Sequence, residues 1–150
     1  METTEYRNAL RAVLDAASQP TADRLSAIHR AAAVGADSAD GVLIDVFLDQ
    51  DAEGPFGVWA RFEGADAFSL DRQLGDDREL FGAIWGEEGW EPAVPARPQG
   101  WSRERLLDVI VEVVAEWIAP LIPPGAPDLR WEVVTPDGAT DPIPVGPRDD

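Results

Sequence analysis

The chain has 150 residues and a mass of 16.3 kDa, enough for one domain with a substantial core. Its 29 Asp and Glu against 12 basic residues, all of them Arg, give a formal net charge of −17. That excess opposes a grip on nucleic acid or on an anionic membrane, since both need cationic surface. With no Cys and one His, disulfides, thiolate metal sites and multi-histidine zinc centres are excluded.

The start of the chain predicts a helix. Thr3 or Thr4 is placed to cap it, and Tyr6, Ala9, Leu10, Val13, Leu14 and Ala17 recur at helical spacing. Acids and Arg interrupt Met1–Gln19, unlike the basic region and apolar run of a signal peptide. A cytoplasmic location is therefore expected. Ser18-Gln19-Pro20 breaks the pattern, and a second helix is expected over Thr21–Val34. Its inward residues are Leu25, Ile28 and Ala32, and Gly35 stops it. Two helices so closely joined form a helical hairpin.

The period then becomes 2. In Gly41–Asp49, Val42, Ile44, Val46 and Leu48 share one face; in Phe56–Glu63, Phe56, Val58, Ala60 and Phe62 do the same. The polar Gln50–Pro55 segment makes this a hairpin. A register pairing Ile44 with Phe62, Val46 with Ala60 and Leu48 with Val58 keeps these sets on one face. It also sets Phe47 opposite Trp59 and Asp45 opposite Arg61 on the other.

Further along, Ala67–Leu70 reads as a short strand and Asp71–Trp85 as a helix, while Trp85–Gly100 reads as an irregular connection. Ser102 caps the strongest helix, Arg103–Ala119, closed by Pro120 and Pro123-Pro124. It is too short and too charged to span a bilayer. Leu129–Thr135 is a strand, Pro136-Asp137-Gly138 a turn, and Ala139–Val145 a weak edge strand. Residues 145–150 should fray. The expected class is α+β: one domain over 1–150, with the helical hairpin and the long buried helix packed on one face of a small antiparallel sheet.

Several clusters invite a chemical reading. Asp49-Gln50-Asp51-Ala52-Glu53-Gly54 resembles the opening of a calcium loop, but the twelfth position is Ala60 where a bidentate Glu is required. It reads as a solvated turn, so no metal site is expected. His29 has no partner at ligand spacing and reads as a packed helix residue. Neither a Gly-x-Ser-x-Gly elbow nor a phosphate loop ending in Lys occurs. No catalytic residue and no cofactor are therefore expected.

Glu104, Asp108, Glu112 and Glu116 stack at i, i+4 along one stripe. The rest of that helix is largely apolar, so the stripe reads either as nothing more than the solvent-facing strip of a central helix or, functionally, as a preformed acidic ridge for an Arg/Lys-rich partner. Trp59 and Trp90 are candidate anchors beside the Asp49, Asp51 and Glu53 acids.

Three stretches taken together carry a resemblance: Glu5-Tyr6-Arg7 through Val13-Leu14-Asp15-Ala16, Val46-Phe47-Leu48-Asp49-Gln50-Asp51 through Gly57-Val58-Trp59, and Arg78-Glu79-Leu80-Phe81-Gly82. In this order they resemble a family of small acidic actinobacterial proteins known only as a domain of unknown function. That family brings no catalytic residues. A looser likeness, of size and acidity, is to the immunity proteins of bacterial toxin systems. The expected function is a non-enzymatic binding protein, an immunity- or inhibitor-type partner of a basic protein. The alternative is a carboxylate-using enzyme or a small-ligand binder with a Trp-walled pocket.

Overall fold

A computed structural model describes residues 2–34, 40–48, 56–82, 84–86, 89–91, 94–123, 129–135 and 141–145. Helices α1 (Thr3–Ala16) and α2 (Ser18–Val34) form the expected hairpin, with only Ala17 between them. Tyr6, Leu10 and Leu14 bury one face of α1, and Thr21, Leu25 and Ile28 one face of α2. Two boundaries differ from expectation. The N-cap position of α1 is Glu2, and Thr3 spends its hydroxyl on accepting from Arg105 Nη2 at 3.0 Å. Helix α2 begins at Ser18, because Pro20 sits in a first turn, where a missing N–H breaks no helical bond.

Strands β1 (Gly41–Leu48) and β2 (Phe56–Glu63) pair antiparallel, and the even-numbered residues face the core as expected. The register differs by two. Val42 stands opposite Phe62, Ile44 opposite Ala60, Val46 opposite Val58 and Leu48 opposite Phe56. A shift of two keeps every side chain on its own face. The observed choice sets buried Phe56 against Leu48, where the expected one would have spent it on Gln50.

The stretch after β2 reverses the reading of its two halves. Ala67–Leu74 is a helix, α3, whose Ala67, Leu70 and Leu74 fall on one side and pack on the core. A 3₁₀ turn over Gly75–Arg78 leads into strand β3 (Glu79–Gly82). Strand β3 pairs with β2 through a bulge between Val58 and Trp59, so that Glu79 meets Trp59 and Phe81 meets Val58. The extra residue lets Leu80 and Phe81 both be buried. The region expected to be irregular opens with a second ribbon, β4 (Ile84–Gly86) and β5 (Gly89–Glu91), in which Trp85 stands opposite Trp90.

Helix α4 (Arg103–Ile118) starts at its Ser102 cap, whose Oγ accepts from the Arg105 N–H at 3.1 Å. Val109, Ile110, Val113 and Trp117 are all buried. Trp117 meets Phe81 edge-on and donates its indole N–H to Ser18 Oγ at 2.9 Å, which ties α4 to both sheet and hairpin. Strand β6 (Arg130–Val134) then joins the sheet beside β1, and β7 (Ile143–Pro144) closes that side.

The α+β class stands, with one correction to the sheet. Its order is β3-β2-β1-β6-β7, and β1 and β6 run parallel, so it is mixed and not antiparallel. Periodicity reports which face a strand buries and is silent on direction. The parallel contact is tight: a Cβ on Gly41 would lie 2.6 Å from the Arg130 carbonyl oxygen, so only glycine fits there. Of the tail expected to fray, 145–150, Val145 is instead buried and donates its N–H to the Trp131 carbonyl at 2.9 Å, because it packs against the core beside β6. Residues 146–150 lie outside the described residues, as do the Pro136-Asp137-Gly138 turn and the Gly35 stop.

Candidate functional site

Burial confirms the reading of α4 as a helix with one wet strip. From Leu106 to Ile118 the exposed positions are Asp108, Glu112 and Glu116, and Glu104 extends the line toward the cap. The strip is not a bare row of acids. Arg7 of α1 reaches across with Nη1 3.0 Å from Glu112 Oε2 and Nη2 2.6 Å from Glu116 Oε1. One guanidinium thus relieves the repulsion between two carboxylates a turn apart. Toward the N-terminus of α4, Glu104 and Asp108 border a polar groove of about 470 Å³ shared with Thr3, Arg7 and Arg105. Arg105 is itself held over the Trp101 ring, 4.8 Å from its centroid.

A second constellation lies on the sheet face away from the buried even-numbered residues. Asp45 projects there from β1 and is only 5% exposed. Burying a carboxylate costs free energy unless it is paired. The partner is Arg61, whose Nε donates to Asp45 Oδ2 at 2.7 Å and whose Nη2 lies 3.4 Å from Oδ1. Trp59 stands opposite Asp45, and the Arg78 guanidinium lies 5.8 Å from the Trp59 ring centroid. Arg78 is fixed in turn, donating from Nε to the Gly75 carbonyl and from Nη1 to that of Ala60, at 3.2 and 3.3 Å. With Phe47 these side chains line an open pocket of about 430 Å³. At the far end of the same face, the Arg130 pKa is raised by its hydrogen bond to Glu63, then by the charges of Glu63 and Glu132.

The residues singled out from sequence therefore part company. Glu104, Asp108, Glu112 and Glu116 come together on α4, and Trp59 joins the sheet-face pocket. Asp49, Asp51 and Glu53 lie outside the described residues; Trp90 is placed by its backbone in β5. Asp45, Arg61, Phe47 and Arg78 were not among the sequence candidates. Asp45 was detectable as an acid inside an eight-residue strand. Arg78 was not, because the turn that delivers it looked helical. Among the described residues, no group of three or more His, Cys, Asp or Glu could hold a metal ion. His29 is half-buried on α2, and its Nε2 has no hydrogen-bond partner among them. Tyr6 is fully buried against Trp101, and burial pushes its hydroxyl pKa up to about 12.

The chain belongs to a family described as a family of unknown function (DUF6389), whose model matches residues 1–149. No curated protein and no solved structure matches it. No helix among the described residues is long and apolar enough to cross a membrane.

Proposed function

We propose that this DUF6389 member is a non-enzymatic binding protein that engages a basic protein partner through the α4 strip. The observation that carries the reading is the exposure of all four strip acids on a helix whose other positions from Leu106 to Ile118 are buried in the core. A rigid, buried helix presents its charges without the ordering cost of a loop. The field of a −17 chain accelerates encounter with a cationic protein. Arg7 occupies Glu112 and Glu116, so an incoming cation meets Glu104 and Asp108 first. In this reading the protein acts in the cytoplasm of an actinobacterium, as an immunity- or inhibitor-type partner.

Capture from the source organism at low and at high salt tests the proposal, using the natural chain and a Glu104→Arg/Asp108→Arg variant. The expected result is a basic partner that the natural chain holds at low salt and releases at high salt, and that the variant loses. A partner held equally by the variant, or no salt-sensitive partner at all, overturns it.

A further inference from the structure

We propose that the open face of the sheet joins two copies of this chain, stacked about a twofold axis that runs along β1. Helix α4 packs on the other, core face, so the dimer leaves its acidic strip free and does not depend on the basic-partner reading.

Strand β1 is the middle strand, with β2 on one side and β6 on the other. Rows of side chains cross it on the open face. Glu63 and Arg130 flank Gly41 in the first row, and Arg61 and Glu132 flank Leu43 in the second. Trp59 and Val134 flank Asp45 in the third, and Phe47 continues the β1 line beyond. Each row thus holds, one strand to either side of β1, either two opposite charges or two apolar side chains.

A half-turn about β1 sets the β2 side of one copy over the β6 side of the other. Glu63 then meets the second copy's Arg130, Arg61 meets its Glu132, and Trp59 meets its Val134. Leu43 and Phe47 meet their own counterparts on the axis. An isologous contact requires this kind of self-complementarity. The two sheets come out nearly aligned, an ordinary arrangement for sheets stacked about 10 Å apart.

The side chains concerned still have surface to bury. Phe47 is 44% exposed, and Leu43 and Trp59 are half-buried and lie outside the core cluster. Asp45 and Val134 are already buried. The two Asp45 carboxylates near the axis are each paired within their own copy, by Nε and Nη2 of Arg61. The outer edge of that guanidinium bonds no other described residue, and two parallel N–H groups match a carboxylate. Glu132 accepts from Arg130 Nε at 2.8 Å and keeps lone pairs for a second guanidinium.

Charge favours a second copy over other occupants. Around these rows stand Arg61, Arg130 and Arg78, the last over the Trp59 ring, against Asp45, Glu63, Glu132 and Glu79. Three Arg against four acids is close to neutral in a chain with 12 Arg and 29 acids. A strongly basic protein gains little on such a face, and a strongly acidic one finds no cationic surplus. Two whole chains still repel, since each carries −17, so the dimer should tighten as salt screens them. Binding through the α4 strip should loosen with salt instead.

Sedimentation of the intact protein from micromolar to millimolar concentration tests the proposal. The 16.3 kDa monomer should give way to a dimer, and more readily at ~0.15 M salt than at ~0.01 M, where the Debye length is about 30 Å instead of about 8 Å. Leu43→Arg sets like charges together on the axis and should weaken the dimer by about tenfold or more. Phe47→Asp, at an exposed position, should do the same, both with the melting temperature of the dilute protein kept. Glu63→Arg and Arg130→Glu should each weaken self-association, and mixing these two variants should restore it as a heterodimer. Each then supplies the charge that the other's face lacks, which a pairing confined to one chain could not do. Glu104→Arg/Asp108→Arg should not weaken the dimer, so this proposal and the basic-partner reading fail separately. The inference is overturned by a monomer at millimolar concentration and ~0.15 M salt, by a dimer that survives both Leu43→Arg and Phe47→Asp, or by a mixture no better associated than either variant alone.

Discussion

Asp45 and Arg61 are bonded at 2.7 Å although neither stands opposite the other in the β1–β2 ladder: Asp45 faces Trp59, and Arg61 faces Leu43. The contact is diagonal, within reach of a long side chain. Its two ends are unequal, because the Asp45 side chain is 6% exposed and that of Arg61 45%. Arg61→Ala should therefore cost about 1–3 kcal/mol by stranding a buried carboxylate. Asp45→Asn should cost less, since water can solvate the released guanidinium. Urea denaturation of the two variants decides it, and equal or reversed losses would show that the pair does not set local stability.

Helix α4 should dominate stability. Ile110 is fully buried among the core residues, and Ile110→Ala should cost about 2–5 kcal/mol. That is a large share of the ~5–15 kcal/mol typical of a domain. A loss below about 1 kcal/mol in chemical denaturation would make the helix peripheral.

Arg7 tests the strip from its other side. Arg7→Ala should destabilise by about 0.5–1 kcal/mol at low ionic strength, the scale of an exposed ion pair plus the repulsion it relieves. Added salt should shrink the difference. A loss that is independent of salt would assign Arg7 a packing role.

The alkaline limb of stability should report one residue. The chain has a single Tyr, no Cys and no Lys, so little else titrates between pH 9 and 12. Tyr6 is held protonated to about 12 in the folded state, against an unfolded value near 10. The folded state therefore binds the extra proton. Its contribution is complete below pH ~10 and is lost as pH rises toward ~12, on the order of 2–3 kcal/mol in all. Tyrosinate absorbance should appear together with loss of tertiary signal. Ionisation near pH 10 in a protein that stays folded would contradict the burial of Tyr6.

Metal should be irrelevant to stability. EDTA or millimolar calcium should leave the melting temperature unchanged, because the Asp49–Gly54 stretch lacks its closing Glu. A calcium-dependent rise, removed by Asp49→Asn and Asp51→Asn, would reverse that reading.

How far the fold was legible follows from what each signal encodes. Alternation in Val42–Leu48 and Phe56–Phe62 fixes faces by parity, and the faces held. It cannot choose between registers two apart, a choice that here gives Phe56 a core partner in Leu48. Helix α4 was legible because Ser102, the apolar faces and Pro120 agree at every level. Helix α3 was not, since Ala67-Phe68-Ser69-Leu70 puts a 74% exposed Phe on its outer side and so imitates a strand. The strip acids needed only helical periodicity. The sheet-face pocket needed β3 and the preceding turn, and those depend on a bulge that no local pattern announces.

The flanks of the sheet carry one further consequence. At β3, α2 lays two side chains over the strand: Thr21 donates to the Leu80 carbonyl at 2.6 Å, and Arg24 donates to that of Glu79. At the other flank β7 is two residues long and ends in a proline, which has no N–H to offer. Neither border is left as a long template for another strand. Samples held under heat or at high concentration should accordingly lose structure as a whole domain before they stack into cross-β fibres. If fibres do form, the seed should be a segment released by unfolding, and thioflavin-positive growth should lag the loss of Trp117 burial.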